Sequence, residues 1–114
     1  MIDFPFNGNG VAEAGGEAKD ALYIKAKQVQ SQLHWCSHTW SHLDLTLNDQ
    51  ADEEYPTTYQ EAYDEMVKNQ AFALDFFGGP TSPVYSDKYM VTPGISGLFN
   101  PNAIKAILDA GTRT

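Results

Sequence analysis

The sequence predicts an α/β chain in which parallel strands alternate with helices. Three observations carry that expectation. Short apolar segments recur between longer segments of helical period. Clusters of Gly, Pro and Asn punctuate the changes from one kind of segment to the other. The resulting order (strand, helix, strand, helix, strand, helix) is the one that parallel pairing with helical crossovers requires. At 114 residues the chain is about one small domain. Three strands cannot close a barrel, so either the sheet is small and open or it is part of a larger one.

The elements follow in order. Ile2 to Phe6 is short and apolar and reads as the first strand. Asn7-Gly8-Asn9-Gly10 stops it as a turn whose glycines supply positive φ. Ala12 to Ala18 is small and glycine-rich, a loop or a frayed helix start. Lys19 to Gln32 has helical period, with Leu22, Ala26, Val29 and Leu33 on one face. Leu33 to Cys36 is the second strand, which puts Ser37 to His42 at its C-terminal end. An acidic loop, Asn48 to Tyr55, ends at Pro56. Thr58-Tyr59-Gln60-Glu61 is a capping box, opening a helix that runs to about Phe77. Its expected apolar stripe is Tyr59, Tyr63, Met66, Val67, Leu74 and Phe77, and Gly78-Gly79-Pro80 ends it. Ser82 to Asp87 reads as loop and Lys88 to Thr92 as the third strand. Asn100-Pro101 caps and starts the last helix, with Ile104, Ile107 and Leu108 facing inward and Gly111 as its stop. Thr112 to Thr114 looks like the opening of a further strand.

Composition narrows the function classes. Six Phe, six Tyr and two Trp, within 42% hydrophobic residues, are enough for a packed core. Fifteen acidic against seven basic residues give a net charge of -8, which disfavours a nucleic-acid or anionic-membrane surface. No run reaches the length of a membrane-spanning helix, and Met1 to Phe6 lacks the pattern of a signal peptide. Cys36 is the sole cysteine, so no internal disulfide forms, and its apolar neighbours Leu33 and Trp35 favour a packed, inert thiol. Asp49, Asp52, Glu53 and Glu54 lack calcium-loop spacing and read as a solvated acidic loop.

In parallel α/β folds the chemistry sits at the C-terminal strand ends. Asn7 to Gly10, Ser37 to His42 and Thr92 to Asn100 occupy that position. The densest chemistry is His38-Thr39-Trp40-Ser41-His42, because two imidazoles four residues apart can meet one metal ion. The spacing alone favours a solvated helix face carrying His34, His38 and His42.

The wider context resembles the polysaccharide deacetylases, the NodB-homology superfamily of carbohydrate esterases. His38-Thr39-Trp40-Ser41-His42-Leu43-Asp44-Leu45 resembles the second motif of that family. Phe4-Pro5-Phe6-Asn7-Gly8 is similar to its second barrel strand, and Asn69-Gln70 sit where the family carries a mid-helix Asn. Val91-Thr92-Pro93-Gly94 and Phe99-Asn100-Pro101 resemble its Pro-Gly turn and the following helix start. Within the superfamily, Asn7-Gly8-Asn9-Gly10 and the stretch Pro93 to Asn100 are most similar to the fungal and bacterial galactosaminogalactan deacetylases.

The resemblance implies a partial (β/α) barrel, with residues 1–114 as the central part of a catalytic domain whose N- and C-terminal parts lie outside. It implies metal-dependent removal of N-acetyl groups from the amino sugars of an extracellular or cell-wall polysaccharide. The cofactor is then Zn2+ or another divalent transition metal, with His38 and His42 as ligands. Thr39 and Ser41 are expected to support the ligand loop, and Asp44 to orient a ligand histidine or cap the following turn. Asn7, Trp40, Pro93, Gly94 and Asn100 are the substrate-groove positions, although Trp40 also fits core packing. No catalytic base or acid is assigned within the chain. The family's Asp-Asp motif and late His have no counterpart here, and Asp3, inside the first strand, is a poor substitute for the third ligand. Met90, Val91 and Thr92 stand where the family usually has an Arg. A different class of function therefore stays open: a truncated or degenerate domain that at most binds metal or carbohydrate.

Overall fold

A computed structural model of the chain describes residues 3–13, 20–46 and 56–112. Three parallel strands form one sheet in the order β1 (Asp3–Phe6), β2 (His34–Ser37), β3 (Tyr85–Met90). Helices α1 (Asn9–Glu13) and α2 (Ala21–Val29) link β1 to β2, and α3 (Tyr59–Phe76) links β2 to β3. Helix α4 (Pro101–Asp109) follows β3 after a 3-10 turn at Pro93–Ile95. The α/β class with parallel strands is therefore as the sequence predicts. The described sheet has three strands and no closure into a barrel.

Local signals set several element boundaries. Thr58 and Glu61 form the expected capping box at the start of α3: each side chain accepts from the other's backbone N–H. Asn100 caps α4 through Asn102 and Ala103, Pro101 occupies its first turn, and Gly111 (φ 83°) ends it in the left-handed region. Asp20 caps α2 by accepting from the Leu22 N–H at 2.8 Å.

The buried faces depart from the large-apolar stripes. In α3 the inward residues are Ala62, Met66, Asn69, Ala73 and Phe76, while Val67 is exposed. In α4 they are Ala103, Ala106 and Ile107, and Leu108 faces outward. Helices that pack closely on each other place small residues at the contact, and α3 and α4 do so around Met66, Ala103, Ala106 and Ile107. In α2 no residue is fully buried and Leu22 is 77% exposed; Tyr23 and Ala26 are the residues that reach the core. Tyr23 meets Phe76 edge to face at 4.9 Å, in an aromatic cluster that also holds Phe6, Phe72, Phe77, Trp35 and Tyr85.

Two further boundaries are corrected. Asn9 and Gly10 open the short α1 instead of completing a turn, and neither Gly8 nor Gly10 has positive φ. Strand β3 starts at Tyr85, inside the stretch read as loop, because Tyr85 stacks on Phe77 at 5.3 Å and pairs with Trp35. The β2–β3 ladder then breaks: Cys36 faces Ser86, but Ser37 faces Met90, so Asp87, Lys88 and Tyr89 bulge out. The acidic residues Asp49, Asp52, Glu53 and Glu54, and the strand opening beyond Thr112, lie outside the described residues. Among the described residues, no helix is long and apolar enough to cross a membrane.

Candidate metal centre

The His38–His42 segment leaves the C-terminal end of β2, the position at which parallel sheets expose loops. It is not helical. Thr39 (φ 63°) and His42 (φ 67°) both adopt the left-handed region, which a β-branched residue enters only under constraint. The reading of three histidines on one helix face is thereby excluded. His34 sits at the opposite end of β2, where its Nδ1 pairs with the Asp3 carboxylate at 2.5 Å across the β1–β2 register. Asp3 is likewise removed from the loop.

The two left-handed residues bring the imidazoles together. The His38 and His42 rings lie 4.8 Å apart, tilted at 70°. Two imidazoles bound to one tetrahedral ion, with nitrogens at about 2.0–2.1 Å, hold their ring centres roughly 5 Å apart, so the pair has the required spacing. His38 Nδ1 lies 2.7 Å from the Val91 carbonyl oxygen. A carbonyl can only accept, so Nδ1 carries the proton and, in the neutral ring, Nε2 keeps its lone pair for a metal. A hydrogen bond of this type fixes ring orientation in histidine metal sites. Among the described residues, no group of three or more His, Cys, Asp or Glu side chains that could hold a metal ion gathers, and the imidazoles here are two donors only.

A frame of side chains holds the loop. Asn7 Nδ2 donates to the carbonyls of both His38 and Thr39, the latter at 2.8 Å. Asn69, fully buried in α3, accepts from the Gly8 N–H at 2.8 Å and donates to Phe6 O at 2.7 Å and Ser37 Oγ at 2.9 Å. The ends of β1 and β2 are thus bound to one amide. Trp40 turns back from the loop onto Gly8 and Phe72, meeting the Phe72 ring at 5.6 Å. A Cβ on Gly8 would overlap the Trp40 ring, so close approach explains that glycine. Glu65 of α3 accepts from Ser41 twice: from the N–H at 2.7 Å and from the hydroxyl at 2.8 Å. Thr39 is fully buried, and its hydroxyl has no hydrogen-bond partner among the described residues.

The remaining candidates lie on the next turn. Gly94 has φ 59°, and a Cβ there would meet Asp44 Oδ1 at 2.9 Å, so the Asp44 carboxylate rests directly over the Gly94 backbone. Pro93 is buried. Asn100 is fully buried, and its amide nitrogen donates to the carbonyls of Thr46 at 3.0 Å and Thr57 at 2.9 Å. Ser96 adds a hydrogen bond from Leu45 N–H at 2.7 Å. Asn100 and Ser96 therefore anchor the segment that follows the histidines. Asn7 and Asn100 both face the protein backbone through their amide nitrogens. Cys36 lies within the sheet; burial raises its thiol pKa, with Asp3 adding to the rise. The Tyr85 hydroxyl is pushed up by burial as well.

The sequence singles out the histidines but not Glu65 or the loop-holding role of Asn7. Both act across more than twenty residues of sequence, and neither carries a local pattern.

A family model, the Agd3 deacetylase domain, matches residues 17–114. The chain belongs to the Agd3 deacetylase domain family. The match covers α2, the histidine loop, α3, β3 and α4, so every element that frames the loop except β1 and α1 lies within it. No curated protein and no solved structure matches the chain significantly.

Proposed function

We propose that this Agd3-type deacetylase chain is a segment of a metal-dependent polysaccharide N-deacetylase. The observation that carries the reading is the paired His38 and His42 on a strained loop at a parallel strand end, with His38 Nδ1 fixed by Val91. The three-stranded sheet then forms a sector of a (β/α) barrel of the NodB-homology type. The substrate is an amino-sugar exopolysaccharide of the galactosaminogalactan kind, as the motifs around Asn7 and Pro93 to Asn100 resemble that branch.

In the proposed mechanism His38 and His42 hold Zn2+ or a similar divalent ion, and the third ligand comes from elsewhere. When bound, such an ion polarises an acetamide carbonyl and lowers the pKa of its water. The chain's own part is orientation. Val91 fixes the tautomer of His38, and Asn7 pins the two successive carbonyls of His38 and Thr39. Trp40, anchored on Gly8 and Phe72, keeps the loop against the end of the sheet. Ordering the ligands before metal arrives lowers the conformational entropy lost on binding.

Titration calorimetry with zinc tests the reading. The chain is expected to bind Zn2+ and a His38→Ala/His42→Ala double variant to lose that binding; equal affinity for both would refute the ligand assignment. Acetate release from an N-acetylated amino-sugar polymer separates hydrolysis from the narrower reading, a domain that binds metal or polymer without cleaving it.

A further inference from the structure

We propose that Glu65 is the positioning residue of the dihistidine loop, setting the geometry of His42 through Ser41. The inference rests on the reading of His38 and His42 as metal ligands. Ser41 stands between two residues with opposite demands. Trp40 is half-buried against Gly8 and Phe72, while His42 turns into the left-handed region with its ring 4.8 Å from that of His38. The residue between them must be held, or the turn relaxes to the extended backbone that a non-glycine residue prefers.

Glu65 supplies the hold. Each of its two carboxylate oxygens takes one of the two hydrogens that Ser41 offers, the N–H at 2.7 Å and the O–H at 2.8 Å. A carboxylate gripping one residue through both donors fixes orientation as well as position, and hydrogen bonds to an ionised acceptor are about twice as strong as neutral ones. Glu65 sits on α3, one turn before Asn69, which binds the ends of β1 and β2. A single rigid helix therefore holds both the strand ends and the loop that leaves them. Loss of a group that hydrogen-bonds a ligand directly weakens metal binding by roughly 10–100-fold in known sites, which sets the scale for Glu65, acting on His42 one residue away through Ser41.

The test uses the full chain, zinc as probe, and three variants: Glu65→Ala, Glu65→Gln and Glu61→Ala. Zinc affinity is read by calorimetry. The contact between the His38 and His42 rings is read by NMR in the metal-free protein, where rings 4.8 Å apart give a cross-peak. Glu65→Ala is expected to lose the cross-peak and to bind zinc roughly 10–100-fold more weakly. Glu65→Gln, which keeps one acceptor oxygen, recovers part of both. Glu61→Ala breaks the capping box of the same helix without touching Ser41, so it lowers stability and leaves both readouts at the wild-type level. Zinc affinity within about twofold of wild type in Glu65→Ala, or an equal loss in Glu61→Ala, overturns the proposal. If the wild type takes up no zinc, the metal reading fails, and the cross-peak alone decides: retained in Glu65→Ala it overturns the positioning role, lost there alone it supports it.

Discussion

Replacing Asn69 with Leu removes the amide that joins three parts of the fold while keeping the number and branching of its side-chain heavy atoms. Asn69 is wholly buried and makes three hydrogen bonds, to Gly8 N–H, Phe6 O and Ser37 Oγ. Phe6 O keeps a second donor, the His38 N–H at 3.1 Å, so its loss is small. The Gly8 N–H and the Ser37 hydroxyl are both buried and lose the partner that Asn69 gave them. Each orphaned group costs about 1–3 kcal/mol. The apolar side chain returns about 1–2 kcal/mol of burial. The expected net loss is therefore about 1–4 kcal/mol, a large part of the stability of a small domain. In urea, with a slope of about 1–3 kcal/mol per molar, the midpoint falls by roughly 0.3–4 M. Trp35 and Trp40 supply the fluorescence signal, and amide exchange of Gly8 supplies a local one. A midpoint unchanged within about 0.3 M, with Gly8 exchange still slow, would refute the view that this amide closes the strand ends.

Other outcomes follow from the same geometry. Gly8→Ala would drive a Cβ into the Trp40 ring and within 3.0 Å of Phe72 Cδ1, so a loss of about 1–3 kcal/mol, measured by thermal melting, is expected together with a shifted Trp emission. The Glu61 carboxyl is held below its ordinary pKa by hydrogen bonds from the Thr58 backbone and hydroxyl. Because the folded value is the lower one, this contribution is complete above the unfolded glutamate pKa and is lost as pH falls through the folded value. NMR titration should show Glu61 titrating late on acidification, and Thr58→Ala should move it back toward the usual range. Cys36 is buried, and its thiol pKa is raised first by burial, so a thiol reagent at pH 8 should label the native chain only at the rate of unfolding. Rapid labelling would show that the sheet opens locally at β2.

Features whose physics is local were readable from sequence. The Thr58–Glu61 box and the Asn100-Pro101 start each close within three residues, so their residue types suffice to identify them. Helix faces were less readable. Val67 and Leu108 belong to plausible apolar stripes yet face outward, because the partner layer selects small residues such as Ala62, Ala73, Ala103 and Ala106 at close contacts. Asn69 lies on the buried side of α3 for its hydrogen bonds, which no hydrophobic pattern reveals. The start of β3 was missed since Tyr85 is fixed by Phe77 and Trp35 from other elements. At the site, the Thr-Trp-Ser between the histidines pointed to the loop, but the partners that shape it, Asn7 and Glu65, are visible only once β1 and α3 are packed beside it.

The bulge in β3 separates the two ends of the sheet. Below it, Trp35 and Cys36 pair with Tyr85 and Ser86; above it, Ser37 pairs with Met90 and its carbonyl accepts from the Val91 N–H at 3.0 Å. The Asp87 carbonyl, released from the ladder, accepts from the Thr112 hydroxyl at 3.0 Å instead. Val91 thus meets His38 through a pairing that does not count residues continuously from the strand's start. Asp87 to Tyr89 stand outside the ladder, so a residue inserted among them would lengthen the bulge and leave the Val91–His38 contact in register.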